Sequence, residues 1–318
     1  MTKILVTGAA GMIGSHLTEI LLNRDYKVLG LDNLLVGQSK NLPSHKNFKF
    51  INGSVLDHVL VQNLIKQVDI IVHLATLKKG SNLLESRTTL RMISQSADIL
   101  MNEAFNLKKR FVLASTSDVY GYGTSFPFVE TDPVSLGPFN TRRWAYASAK
   151  LYSEQLAFDY AKDGLDVRII RYFGGFSERS CLGWQGGHVP IFLNKILKKE
   201  PIDIHGDGKQ TRCVTYGEDL AYGTYLAMIK DGISGELFNI GGNEEISVND
   251  TAFRIAELGG FKKPILNHIN PDKIFGNYNE ISRRLPCLKK SKKLLGYEPQ
   301  WNFDKGIKKM IESHRKLI

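Results

Sequence analysis

Lys3-Ile4-Leu5-Val6-Thr7-Gly8-Ala9-Ala10-Gly11-Met12-Ile13-Gly14 is the stretch on which the fold turns. A short apolar run, Ile4 to Val6, ends in a glycine series, and a helical pattern from Ile13 to Leu22 follows at once, so the segment reads strand, tight turn, helix. Gly8 permits the turn, Gly11 lets the backbone approach a pyrophosphate, and Gly14 brings the helix against the strand. The N–H groups of the helix start, around Ala10, Met12 and Ile13, then face phosphate oxygens. A second strand, Lys27 to Asp32, ends in an acid. Placed there, Asp32 accepts hydrogen bonds from the adenosine ribose hydroxyls and repels a 2′-phosphate, which makes NAD rather than NADP the expected cofactor.

Outward from this unit the alternation continues. Strands are predicted at Phe48 to Asn52, Ile70 to Leu74, Arg110 to Ser115 and Asp166 to Arg171, with helices between them such as Leu90 to Phe105. This pattern predicts an α/β fold, a Rossmann-type doubly wound parallel sheet with ligands at the carboxyl ends of its strands. Past Tyr172 the pattern loosens into Gly174, Gly175, Gly183, Gly186 and Gly187 before a helix from about Pro190 to Lys199. Residues 1–172 are therefore expected to form the NAD-binding domain and 173–318 a smaller C-terminal substrate-binding domain. Part of 212–242, with the strand read at Leu237 to Ile240, is available to return to the main sheet.

Composition narrows the class. A chain of 318 residues buries a sizeable core without staples. Its three cysteines, Cys181, Cys213 and Cys287, are odd in number and far apart, so neither a disulfide framework nor a metal site is expected. No apolar run reaches the roughly 18 residues of a spanning helix, and no signal-peptide core follows the start; a cytoplasmic protein with no membrane partner is expected. The formal charge of +10, from 42 Lys and Arg against 32 Asp and Glu, suits an anionic ligand. The basic clusters, Lys108-Lys109-Arg110 and Lys289-Lys290, are short and read as solvated faces, not as a nucleic-acid surface.

Further motifs follow in order: Asp32-Asn33-Leu34, His73-Leu74-Ala75-Thr76, Ser115-Thr116-Ser117-Asp118-Val119-Tyr120-Gly121, Tyr146-x-x-x-Lys150, Gly206-Asp207-Gly208-Lys209-Gln210-Thr211-Arg212, Phe238-Asn239-Ile240-Gly241 and Leu295-Gly296-Tyr297-Glu298-Pro299. Together with Gly8-x-x-Gly11-x-x-Gly14 they resemble the extended short-chain dehydrogenase/reductase family, its NAD-dependent nucleotide-sugar epimerases, dehydratases and decarboxylases above all, along nearly the whole chain. The resemblance implies that Gly8 to Gly14, Asp32, Asn33, Ser54, Val55, Leu74, Ala75, Thr76, Ser115, Tyr146, Lys150 and Tyr172 hold NAD. Ser54 stands where the family often has Asp, and Asp57 is either an adenine contact or a helix cap.

Tyr146 and Lys150, four apart in a helical stretch, share one face. A tyrosine titrates near about pH 10, and an adjacent ammonium together with the positive nicotinamide ring is expected to favour the phenolate and make Tyr146 a base. The resemblance assigns Thr116 to the reacting sugar hydroxyl, with Ser117 and Asp118 beside it, and implies removal of the C4 hydroxyl proton with hydride passing to NAD. The 4-keto sugar is then reduced from the other face (epimerisation), loses a C5 carboxylate (decarboxylation), or loses water across C5 and C6 (dehydration). The run Gly137-Pro138-Phe139-Asn140-Thr141-Arg142-Arg143-Trp144-Ala145-Tyr146 is similar to one group of UDP-glucuronate decarboxylases, with Arg142 or Arg143 meeting a uronate carboxylate. Asp118 stands where that group has glutamate, and Ser117 counts against dehydration. A UDP-sugar 4-epimerase is placed first, a decarboxylase second, and a dehydratase well behind.

The departures lie on the substrate side. Gly174 replaces the amide of Arg-x-Phe-Asn, Met92 marks a helix without the familiar Asn, and Asn277 falls where an arginine is common. Arg212, Arg283 and Arg284 are expected at the nucleotide phosphates, and His188 and Val189, after Trp184-Gln185-Gly186-Gly187, along the substrate. The resemblance implies a homodimer through a four-helix contact that includes the Tyr146 helix. Two rival readings are an NAD-binding scaffold without activity and a dehydrogenase that releases NADH at each turnover.

Overall fold

The structure, a computed structural model, describes residues 1–77, 86–182, 187–271 and 280–315. Strands β1 (Lys3–Thr7), β2 (Lys27–Asp32), β3 (Phe48–Asn52), β4 (Ile70–His73), β5 (Arg110–Thr116) and β6 (Val167–Tyr172) alternate with helices α1 (Met12–Leu22), α2 (His58–Ile65), α3 (Ser86–Asn106) and α4 (Ala145–Lys162). The later part contains β7 (Gly175–Phe176), α5 (His188–Leu197), β8 (Ile202–His205), β9 (Thr211–Cys213), β10 (Thr215–Tyr216), α6 (Gly217–Ile229), β11 (Glu236–Ile240), β12 (Glu245–Ser247), α7 (Val248–Gly259), β13 (Leu266–Ile269) and β14 (Arg283–Arg284). Two helices, Lys289–Leu295 and Phe303–Arg315, end the described chain.

Seven strands form one sheet in the order β11-β6-β5-β4-β1-β2-β3, and every pairing is parallel. Both faces are buried, as a parallel sheet requires. Along β1, Ile4 and Val6 join the core under α1 and α6, while Leu5 joins the opposite core under α2, α3 and α4; successive side chains point to opposite faces. The direction of winding reverses between β1 and β4. A cleft opens there at the strands' carboxyl ends.

The predicted elements differ mainly at their ends. β6 begins at Val167, with the Asp166 side chain paired to Arg110 and Arg168, and α5 begins at His188, so that Pro190 sits in the first turn, where no N–H is needed. The strand read at Leu237 to Ile240 is β11, at the sheet edge beside β6. Between and beyond these strands, α5, α7 and Phe303–Arg315 close over β8 and β10 around a third core of Phe192, Leu193, Ile204, Ile255 and Ile307. Among the described residues no helix is long and apolar enough to cross a membrane.

Candidate active site

At the turn after β1, Gly8 has φ +73° and its N–H donates to the Leu31 carbonyl at 2.8 Å. A Cβ on Gly14 would stand 2.1 Å from the Gly8 carbonyl oxygen, so helix and turn touch through a position only glycine fills. No side chain caps α1, and the first-turn N–H groups of an α-helix have no partner inside it. They open into a cavity of about 460 Å³ lined by Gly8, Ala10, Gly11, Met12, Ile13, Gly14, Asp32, Asn33, Ser54, Val55, Leu74, Ala75, Thr76, Ser115, Thr116, Ser117, Asp118, Tyr146, Lys150, Tyr172, Gly174 and Arg284. The cleft is thus shaped for a dinucleotide, with a cradle in which a Cβ at Gly8 or Gly14 would meet backbone within 3.0 Å, and with free helix donors.

Asp32 is fixed by the loop it serves. Its carboxylate accepts from Ala10 N at 3.0 Å and from Leu34 N at 2.8 Å, which leaves acceptor capacity for ribose hydroxyls. Ser54 Oγ accepts from Leu56 N at 3.1 Å, Val55 is buried, and Asp57 is the cap of α2, accepting from Leu60 N at 3.0 Å. The segment Leu35-Val36-Gly37 after β2 and Arg179-Ser180-Cys181 after β7 also line the cavity, and sequence reading missed both. For the first, the loop after an acid-ended strand was the available signal. For the second there was none, because 141 residues of chain, 38–178, intervene.

Thr116, Tyr146 and Lys150 meet at the other end. The inward face of α4 carries Tyr146, Lys150 and Glu154, one turn apart. Lys150 Nζ donates to the Ala114 carbonyl at 2.7 Å, and burial pushes its amine down to about 8, with the charge of Glu154 opposing. The Tyr146 phenol is pushed above its ordinary value, by burial first and then by the negative charge of Asp118, while the hydroxyls of Thr76 and Thr116 beside it pull the other way. Removing the phenolate from water costs more than the protein's own charges return.

Asp118 stands between two arginines, with Arg143 Nη2 at 3.2 Å and Arg284 Nη1 at 2.5 Å from its Oδ1. Arg284 Nε is buried without an acceptor. Ser117 is buried beside Asp118, and the Ser115 hydroxyl donates to the buried Glu154 carboxylate. Tyr172 bonds Thr224 at 2.6 Å.

The remaining substrate-side expectations separate. β9 and β14 pair with Arg284 opposite Arg212 and Arg283 opposite Thr211; a period of two puts Arg283 on the other face, where it binds Glu245 at 2.6 Å and 2.7 Å beside Phe126. Arg212, on the same face as Arg284, is engaged by Glu280 at 2.7 Å and by the Thr211 and Ile281 carbonyls and is not among the residues lining the cavity. Val189 is packed in the third core and His188 against Phe192; neither lines the cavity. Gly174 lines it, and a Cβ there would stand 2.6 Å from the Cys213 carbonyl oxygen, so an asparagine is excluded by the approach of β9. The side chain of Arg142, Trp184 to Gly186 and Asn277 lie outside the described residues. Among those described, no three His, Cys, Asp or Glu cluster to hold a metal.

Comparison with known proteins accords with this geometry. The family model described as "NAD dependent epimerase/dehydratase family" matches residues 4–241. A UDP-N-acetyl-alpha-D-glucosaminuronate decarboxylase of Bacillus cytotoxicus is 34% identical over 99% of this chain and 98% of its own. Among solved structures, a Bacillus cereus UDP-glucuronic acid 4-epimerase in complex with UDP-glucuronic acid and NAD has a TM-score of 0.88 at 28% identity, covering 99% of this chain and 100% of that one. A Thermotoga maritima UDP-glucose 4-epimerase with UDP-glucose has a TM-score of 0.88 at 27% identity, covering 99% of each. The chain therefore belongs to the NAD-dependent epimerase/dehydratase family, among its nucleotide-sugar epimerases and decarboxylases, and is an NAD-dependent enzyme.

Proposed function

We propose that the enzyme oxidises a UDP-linked hexuronic acid at C4 and releases the C5 carboxylate as carbon dioxide. The observation that carries this reading is the convergence of Arg143 and Arg284 on Asp118 at the end of the cavity that holds Thr116 and Tyr146. Paired guanidinium groups beside a reacting hydroxyl suit recognition of a carboxylate there. NAD, when bound, supplies the acceptor and later the donor of the hydride. Thr116 orients the C4 hydroxyl, Tyr146 takes its proton, and Lys150 places a positive charge beside the phenol. Once C4 is a ketone, the C5 carboxylate is that of a β-keto acid: its C–C bond breaks, the electron pair enters the carbonyl, and Tyr146 is placed to return a proton.

Asp118 bears on the outcome. Since it already occupies both arginines, an incoming carboxylate meets a shared countercharge that orients it without stabilising it strongly against loss as neutral carbon dioxide. The curated decarboxylase relative at 34% identity supports the same order of preference. Retention of the carboxylate with hydride return from the opposite face, a uronate 4-epimerase, is the second reading, favoured by the likeness to the Bacillus cereus structure. Asp118→Asn is expected to tighten the arginines' hold on the substrate and shift products toward the C4 epimer. The substrate is gripped between the carboxyl edge of the sheet and residues after Tyr172, and α3 and α4, with exposed Tyr152 and Leu90, form the homodimer face.

The test is to incubate the enzyme with NAD and, separately, UDP-glucuronate, UDP-N-acetylglucosaminuronate and UDP-glucose. Carbon dioxide and a UDP-pentose from a uronate are expected, without NADH accumulation. A UDP-uronate epimer alone establishes the second reading; turnover of UDP-glucose alone sinks both.

A further inference from the structure

One turn beyond Lys150 on the buried face of α4 stands Glu154, 3% exposed. A carboxylate that far from water needs a partner. Arg171 of β6 supplies it bidentately, Nε to Oε1 at 2.9 Å and Nη2 to Oε2 at 2.7 Å, and the Ser115 hydroxyl donates to Oε1 as well. Arg171 in turn lies 4.6 Å over the Tyr120 ring, and the Tyr120 hydroxyl donates to Asn239 of β11 at 2.8 Å. Neither Glu154 nor Arg171 lines the cavity. The pair ties α4, β5, β6 and β11 together directly behind the wall from which Tyr146 and Lys150 project.

We propose that Glu154, held in place by Arg171, is a positioning residue that keeps Lys150 in its ammonium form at the cavity wall. The proposal rests on the reading above only in taking Lys150 as the cation beside the reacting phenol. The groups around Lys150 support it. On α4 its charged neighbour is Glu154, behind which stands the Arg171 guanidinium of β6; its own charge is felt by the neutral His73 of β4, and from β5 it meets the Ala114 carbonyl. Asp118 acts on the phenol. Burial drives the Lys150 amine toward neutrality, and Glu154 is the countercharge that resists this. Arg171 holds that carboxylate bidentately in the interior, Nε to Oε1 and Nη2 to Oε2.

The experiment follows Lys150 Nζ by NMR in 15N-lysine-labelled protein, without substrate, across the alkaline range. In Glu154→Gln the titration midpoint is expected to fall by about one pH unit or more, a roughly ten-fold loss of ammonium above the midpoint, and the alkaline limb of the kcat profile to move with it. Glu154→Asp retains the charge and is expected to restore most of the shift. Glu154→Gln leaves Arg171 unpaired and is expected to be less stable, so Glu154→Gln/Arg171→Met, with both charges gone, serves as the second variant: stability recovers and the low midpoint stays. A folded double variant titrating within about 0.3 unit of the parent overturns the proposal. The NMR midpoint is read whether or not any sugar nucleotide turns over, so failure of the proposed reaction leaves this result distinct.

Discussion

The two ends of the cavity are built on different principles. At the Gly8 to Gly14 end, recognition is a matter of backbone: a turn at φ +73°, a helix start without a cap, and one carboxylate anchored by two N–H groups of neighbouring turns. At the Asp118 end it is a matter of charged side chains from three separated segments, Asp118 after β5, Arg143 before α4, and Arg284 in β14. Backbone recognition is local, and one strand, turn and helix carries it whole. Charge recognition depends on which face each side chain takes once distant segments have packed, so it varies among relatives that share a cofactor.

If this contrast is right, damage at the two ends has different signatures. The largest effect is expected from Tyr146→Phe, where general-base catalysis is lost: turnover should fall about 10³-fold, with NAD binding unchanged by calorimetry. Next is Gly14→Val, whose Cβ has no room beside Gly8. NAD affinity should weaken at least about 100-fold, roughly 2.7 kcal/mol, whatever substrate is offered. An unaltered dissociation constant would remove the cradle from the account.

A paired comparison separates the arginines. Arg284→Ala should lower kcat/KM for a UDP-uronate about 30- to 100-fold, the scale of a buried charge-assisted hydrogen bond, while Arg283→Ala, on the opposite face and bound to Glu245, should change it less than about three-fold. Equal effects would mean that the sheet's alternation does not sort these residues.

The smallest effect concerns stability. Burial, then the nearby cations, pushes His16 down to about 2 and His73 down to about 3. Their folded values lie below the ordinary 6.5, so the unfolded chain binds these protons first. Stability is therefore fully present above about pH 6.5 and declines as pH falls, by up to about 1.4 kcal/mol per pH unit for each histidine. Urea midpoints measured from pH 6.5 to 5 should show this slope. His73→Gln should make it shallower by one histidine's share, and an unchanged slope would exclude His73 as a contributor.

His73 also illustrates how an expected motif acquires a physical role. Ser96 Oγ donates to the Ile93 carbonyl, so toward His73 Nε2, 3.2 Å away, it can only accept; the Thr7 hydroxyl, 2.8 Å from Nδ1, must then donate while accepting from Ala75 N. The neutral Nε2–H tautomer satisfies the whole chain. It holds the Ala75 turn against β1, where a Cβ on Gly8 would meet Ala75 N at 2.8 Å. His73-Leu74-Ala75 was visible as a pattern, but the hydrogen-bond directions required the positions of Thr7 and Ser96.

What the sequence by itself determined is what short-range periodicity and backbone stereochemistry encode. The period of two along Ile4, Leu5 and Val6 gave a strand buried on both sides, the glycines gave a turn that admits no side chain, and four-residue spacing put Tyr146 and Lys150 on one helical face. Only the tertiary structure decided which arginines face the cavity, because Arg283 and Arg284 are equivalent until β14 chooses its register on β9. It also decided that burial outweighs charge at Tyr146, and that Glu154 finds Arg171. Desolvation and ion pairing depend on what surrounds a side chain in space, and residues far apart along the chain supply those surroundings.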